Sequence, residues 1–178
     1  MNEAPTNIRS GENVSTYKIV LLSETYLSQA SELANSVFPN EPILPSQSFK
    51  DSLDKDKFSI VQGRGVVDLE YFVAVDKNGK VLGTTGIYSL KEDEKDSCWM
   101  GWYCVDEKSR GQGVGKSLLD FCIDGARNKG KKYLKLYTST HPNEATAQIL
   151  YENNGFKITG REKMDKGDYE KLYRQKEL

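Results

Sequence analysis

The chain has 178 residues, with 25 Lys and Arg against 26 Asp and Glu, and a formal net charge of −1. That length suits one domain with a sizeable core. The balanced charge lacks the basic excess that nucleic-acid binding uses, and no apolar run is long enough to span a membrane. Three cysteines, Cys98, Cys104 and Cys122, form no CxxC pair and are odd in number. They read as free thiols in a reducing cytoplasm. His141 is the single histidine, which leaves no His-rich metal site, and no GxSxG nucleophile elbow is present. A hydrolytic triad and a bound metal are therefore not expected.

The first fifteen residues, MNEAPTNIRSGENVS, are polar and without the apolar centre of a signal peptide, and read as a disordered tail. Residues 16–178 read as a single domain. Thr16 to Leu22 is rich in β-branched and apolar residues and predicts a first strand. Ser23 opens a helix whose apolar positions, Leu27, Ala30, Leu33, Ala34 and Val37, recur at helical spacing, and Phe38-Pro39 ends it. Pro45-Ser46 starts a shorter helix through Phe49 and Leu53. The stretch from Asp54 to Val67 is an edge strand or a loop, with Phe58, Ile60 and Val61 as its apolar residues.

Leu69 to Val75 and Val81 to Leu90 predict two strands joined by Asp76 to Lys80, whose Asn78-Gly79 pair is a hairpin signal. The acidic run Glu92 to Asp96 reads as a solvated turn. Cys98 to Val105 predicts a fourth strand. A helix follows from Val114 to Asn128, with Leu118, Leu119, Cys122 and Ala126 toward the sheet and Asp120, Asp124 and Arg127 toward water. Gly130 closes it as a left-handed cap. Tyr133 to Thr138 is a fifth strand. The intervening helix makes a β-α-β unit, so strands four and five should be parallel. A helix over Asn143 to Asn153 and two strands, Phe156 to Lys163 and Tyr169 to Lys176, complete the chain. The fold class is α/β (α+β): a mixed, mostly antiparallel sheet of six to seven strands with one parallel pair and helices on both faces.

The segment Arg110-Gly111-Gln112-Gly113-Val114-Gly115-Lys116 lies between a strand and a helix start. Glycines allow close backbone approach to a ligand, and the first N–H groups of a helix lack internal partners, so this is a cradle for phosphates. It departs from the P-loop pattern, because the opening glycine of GxxxxGK[ST] would fall at Arg110. It is not a dinucleotide fingerprint, because the third glycine of GxGxxG would fall at Lys116.

Arg110-x-x-Gly113-x-Gly115 resembles the [Q/R]-x-x-G-x-[G/A] motif of the GNAT superfamily of N-acetyltransferases. Val105 to Arg110 looks like that family's exit from strand four, with Glu107 in place of the usual Pro. Ala147-x-x-Leu150-Tyr151, followed by Gly155-Phe156, is similar to its A-x-x-[LF]-Y-x-x-x-G-F element. The order of elements also matches, so the resemblance runs from about Thr16 to Lys176.

The resemblance implies acetyl-coenzyme A as co-substrate, an amine as acceptor, and no metal. It implies that the pyrophosphate lies on backbone N–H groups between Arg110 and Lys116, with those two side chains supplying positive charge. It implies that the pantetheine arm lies along the backbone of Cys104 and Val105, where strands four and five splay. Glu144 stands where the family often has a cofactor-contacting Asn, and Asn143, one residue earlier, takes that role or caps its helix. Tyr151 is the implied general acid for thiolate departure, while no residue is named as general base. The expected reaction is direct attack by the amine in a ternary complex. The alternative is a non-catalytic coenzyme A-binding module on the same fold. Neither the acceptor nor a choice between monomer and homodimer is written in the sequence. The first helices and the loops near strands six and seven, here the Ser36 to Phe49 region and the turn near Asp165 to Asp168, are the implied acceptor region.

Overall fold

The computed structural model describes residues 16–39, 41, 43–54, 65–164 and 168–178. The N-terminal tail, most of the ambiguous 54–67 stretch with Phe58, Ile60 and Val61, and part of the 165–168 turn lie outside the described residues. The strands are β1 (Tyr17–Leu21), β2 (Val66–Asp76), β3 (Val81–Leu90), β4 (Ser97–Val105), β5 (Tyr133–Ser139), β6 (Lys157–Lys163) and β7 (Glu170–Glu177). The helices are α1 (Glu24–Val37), α2 (Pro45–Leu53), α3 (Val114–Asn128) and α4 (Ala145–Asn153). The strands form one sheet in the order β1-β2-β3-β4-β5-β7-β6. Every neighbouring pair is antiparallel except β4 and β5. The seven strands and the single parallel pair are those the sequence pattern predicts.

Two core layers sandwich the sheet. On one side Ala30 and Ala34 of α1 and Phe49 of α2 meet Leu69, Tyr71, Val73 and Val75 of β2. On the other, Leu119, Cys122 and Ala126 of α3 pack with Ile87, Cys98 and Leu134. These are the positions at helical spacing in the sequence, and burying them is what holds each helix on its face. The β2–β3 hairpin closes through Asp76, whose carboxylate accepts from the N–H groups of Asn78 and Lys80. Gly79 takes φ +81 there, as a tight hairpin requires.

The structure refines several boundaries. β2 begins at Val66, three residues before the apolar run at Leu69. The helix expected from Asn143 starts as a 3-10 turn over Pro142–Glu144, and α4 proper begins at Ala145. Ser23 holds the N-cap position of α1 without a side-chain capping bond.

Candidate active site

The site is built around an interruption of the sheet. β4 and β5 pair at only three positions, Ser97 with Tyr133, Cys98 with Leu134, and Trp99 with Lys135. Beyond Trp99 the strands separate, and Met100–Val105 faces Leu136–Ser139 across a gap. Each strand remains bonded on its other side, β4 to β3 and β5 to β7. The facing edges therefore carry backbone N–H and C=O groups with no ladder partner, as an outer edge of a sheet does.

A bulge marks the point of divergence. Thr84 stands opposite Cys104 and Gly86 opposite Gly101, so two residues of β4, Trp102 and Tyr103, face the single Thr85. Trp102 has φ +42, in the left-handed region a bulky residue rarely adopts. Its carbonyl is held by the hydroxyl of Thr84, which donates at 2.6 Å. Thr84 itself is fully buried, so the bulge is anchored from within the sheet.

The glycine loop lies at the open end of the gap. A 3-10 turn over Glu107–Ser109 leads into it, and Arg110 Nε donates back to the Val105 carbonyl at 3.3 Å. Gly111 and Gly113 take φ +73 and +82, and Gly113 is the N-cap of α3. Ser117 N–H, donating to the Gly113 carbonyl at 3.0 Å, makes the first helical ladder bond. The N–H groups of Val114, Gly115 and Lys116 precede it and have no carbonyl a turn earlier. Gly115 answers a different need: a Cβ there would lie 2.7 Å from the hydroxyl of Tyr103.

One cavity of about 700 Å³ joins these parts. Cys104, Val105, Arg110, Gly111, Gly113 and Gly115 line it, as do Lys116, Asn143 and Tyr151. The side chains of the other two residues expected at the site turn elsewhere. Val114 is buried against Ala74, Leu82 and Leu118, and Gln112 donates to the Lys108 carbonyl at 3.0 Å beside a second, smaller cleft. Lys116 is ion-paired with Asp120 one turn along α3.

Tyr151 projects from α4 into the cavity wall and is 5% exposed. Its ring packs between Tyr103 and Phe156, with centroids at 6.0 and 5.8 Å. Burial, reinforced by the neighbouring Tyr103 and Glu144, pushes its hydroxyl well above the usual phenol range. The hydroxyl thus keeps its proton at neutral pH. Burial raises Tyr103 in the same way.

The helix carrying Tyr151 is tied to the sheet by a polar frame. Glu144 accepts from the hydroxyls of Thr138 and Ser139 and from the Ser139 N–H, the last at 3.1 Å. Gln148 donates to the Ser139 carbonyl at 2.7 Å and accepts from Arg174 Nε at 2.9 Å. Arg174, 3% exposed, also reaches Glu152 at 2.8 Å. Arg174 escapes sequence reasoning, and Glu144, which the sequence marks only as a departure from the family pattern, turns out to accept from the end of β5. Asn143 does not cap a helix. Its own N–H donates to His141 Nδ1 at 3.2 Å, so His141 supplies the cap.

The cavity continues under α1 and α2, where Phe38, Ser48 and Asp51 face Leu69, Tyr88 and Trp102. The Phe38 and Trp102 rings meet at a tilt of 54°, with centroids 5.4 Å apart. Asp51 and the β2–β3 wall are further parts of the site that the sequence reading does not single out.

No helix among the described residues is long and apolar enough to cross a membrane. A family model described as "Acetyltransferase (GNAT) domain" matches residues 68–158, just over half of the chain. Among characterised proteins, GCN5-related N-acetyltransferase 6, chloroplastic, of Arabidopsis thaliana is 38% identical over 69 residues, 39% of this chain and 22% of that protein. N-acetyltransferase 8B of Homo sapiens is 30% identical over 91 residues, 50% of this chain and 39% of that protein. The matched segments are thus less than half of either relative. Among solved structures, an acetyltransferase of GNAT family from Staphylococcus aureus Mu50 superposes with a TM-score of 0.66 at 21% identity, over 91% of this chain and 99% of that one. The yncA protein of Salmonella typhimurium, solved with its cofactor acetyl-CoA, gives 0.67 at 18% identity, over 92% and 95%. At such identities these structures speak for the fold. With the sequence match over β2 to β6, they agree on one conclusion: the chain belongs to the GNAT acetyltransferase family.

Proposed function

We propose that the protein transfers the acetyl group of acetyl-CoA to a primary amine by direct attack in a ternary complex. The observation that carries this reading is the junction, in one cavity, of the β4–β5 gap, the start of α3 and Tyr151. The residues present fit coenzyme A. An amide-bearing arm can bond to the unpartnered edge of β4 at Cys104 and Val105, as an added strand would. The pyrophosphate end meets the first N–H groups of α3 and the positive end of its dipole, with Arg110 and Lys116 on the same wall. Asn143 faces this channel from its opposite side.

Acetyl-CoA supplies the activated acyl group, and the chain's own residues do the rest. The N–H groups of the β4 bulge are fixed donors for the oxygen that gains charge when the amine attacks. Tyr151, protonated and held by its ring packing, donates to the departing sulfur. Cys104 is not a nucleophile in this scheme: burial raises its thiol to about 11, and its sulfur is hydrogen-bonded with Thr84 at 3.2 Å. Three buried free thiols suit a reducing compartment, and this supports a proposed cytoplasmic setting.

A panel of primary amines with acetyl-CoA, read out as released thiol and as acetylated product by mass spectrometry, tests the proposal. Acetyl-CoA-dependent product from at least one amine supports it. Tight acetyl-CoA binding with no product from any amine would instead favour a non-catalytic coenzyme A-binding module.

A further inference from the structure

Charge is segregated along the cavity. Its cations, Arg110, Lys116 and Lys171, lie at the glycine loop and on β7, where the one carboxylate among the described lining residues, Glu144, is taken up by the hydroxyls of Thr138 and Ser139. The end beneath α1 and α2 has two carboxylates, Glu41 and Asp51, and no Lys or Arg among the described lining residues. Apart from Ser48, that end is otherwise mainly apolar and aromatic.

Asp51 stands out within it. It sits in α2 and is 4% exposed, and its side chain lines the cavity. Its Oδ1 accepts from Gln47 Nε2 at 2.8 Å, and Oδ2 has no hydrogen-bond partner among the described residues. No cation among them pairs with it. A carboxylate taken this far from water is costly unless a positive partner comes to it.

Its position separates it from the reaction. α2 is seated on β2 by Phe49 against Tyr71, with centroids at 4.8 Å. β2 lies two strands from β4 in the sheet, a spacing of about 10 Å, and Asp51 is carried by the helix seated on β2. A single small amine cannot reach both places. A molecule with two amino groups on an apolar linker can, its linker lying on Phe38, Leu69, Tyr88 and Trp102.

We propose that Asp51 is the subsite for a second cationic group of the acceptor, with Glu41 adding negative potential at the mouth. The substrate class is then a diamine-like molecule: one amine is acetylated at β4 while the other, as an ammonium, pairs with Asp51. This inference rests on the acetyl-transfer reading for the fate of the first amine, but the subsite itself can be measured without turnover.

The test compares three probes of similar length: hexamethylenediamine, hexylamine and aminohexanol. Their equilibrium binding is measured by calorimetry on the wild-type chain and on Asp51→Asn, which keeps the volume and the Gln47 contact. The diamine should bind the wild type at least about tenfold more tightly than either of the others, and Asp51→Asn should remove that preference while leaving hexylamine binding unchanged. Equal binding of all three to the wild type, or a preference undiminished in a folded Asp51→Asn, would overturn the proposal. The wild-type comparison stands even where the variant fails to fold. If hexylamine is acetylated as efficiently as the diamine, the subsite fails and the transfer reading stands. If the diamine binds through Asp51 yet no amine is ever acetylated, the transfer reading fails and the subsite stands.

Discussion

Tyr103 in the β4 bulge and Gly115 in the first turn of α3 are in direct apposition. A Cβ on Gly115 would lie 2.7 Å from the Tyr103 hydroxyl but 3.8 Å from Cζ, the ring carbon that bears it. The hydroxyl alone therefore sets the demand for glycine.

A paired substitution isolates that contact. Ala is preferred to Gly within a helix by about 1 kcal/mol. In a Tyr103→Phe background, Gly115→Ala should raise stability by about 0.5–1 kcal/mol. In the wild type the gain should vanish or reverse. Urea unfolding of the four proteins measures the coupling, and additive effects would show that the hydroxyl is not the constraint.

The loop glycines make a separate prediction. Gly113 has φ +82 and open space around it, with only the Tyr17 hydroxyl near, at 3.9 Å. Gly113→Val should therefore cost about 1–2 kcal/mol of stability through backbone conformation. It should also weaken acetyl-CoA binding strongly, because the first N–H groups of α3 are aimed by that residue. Gly113→Asn, which tolerates the left-handed region, should lose less of both. Calorimetric titration of acetyl-CoA against each variant checks this, and equal affinities across the three proteins would separate the loop from phosphate binding.

Buried thiols make stability depend on alkaline pH. Burial raises Cys98 to about 11, Cys104 to about 11 and Cys122 to about 12, from an ordinary value of 9.0. Above pH 9 the unfolded chain releases these protons while the folded chain retains them, so the folded state is disfavoured as pH rises. The unfolding free energy should be flat in this respect below pH 9 and fall between about pH 9 and 12. Replacing Cys98 and Cys122 with Ala should flatten that fall while lowering stability at every pH. The buried tyrosines Tyr103 and Tyr151 add a loss of the same sign above pH 10.

The elements were legible wherever apolar spacing and turn chemistry agree. The Asn78-Gly79 hairpin, the inward face of α3 and the parallel crossover to β5 are written in local sequence. Motif order then located the loop and Tyr151. The bulge at Trp102 was not legible, because it is imposed by pairing with β3 and by the buried hydroxyl of Thr84. The gap between β4 and β5 is likewise a property of two strands distant in sequence. Asp51 was invisible for a third reason. The α2 sequence PSQSFKDSL shows a short helix with Phe49 and Leu53 as its apolar residues, and only the tertiary structure turns Ser48 and Asp51 toward a cavity. Glu144 read as a departure from the family pattern, and its carboxylate is occupied by the end of β5.

We propose that Tyr151 serves chemistry and not packing alone. Tyr151→Phe removes one hydroxyl and keeps the ring contacts with Tyr103 and Phe156. The most direct measurement is the single-turnover rate of acetyl transfer to an accepted amine by wild type and variant, with acetyl-CoA affinity measured alongside. The account predicts a fall of about 10²–10⁴-fold in the rate and an affinity changed by less than about twofold. An unchanged single-turnover rate would contradict it and return Tyr151 to the core.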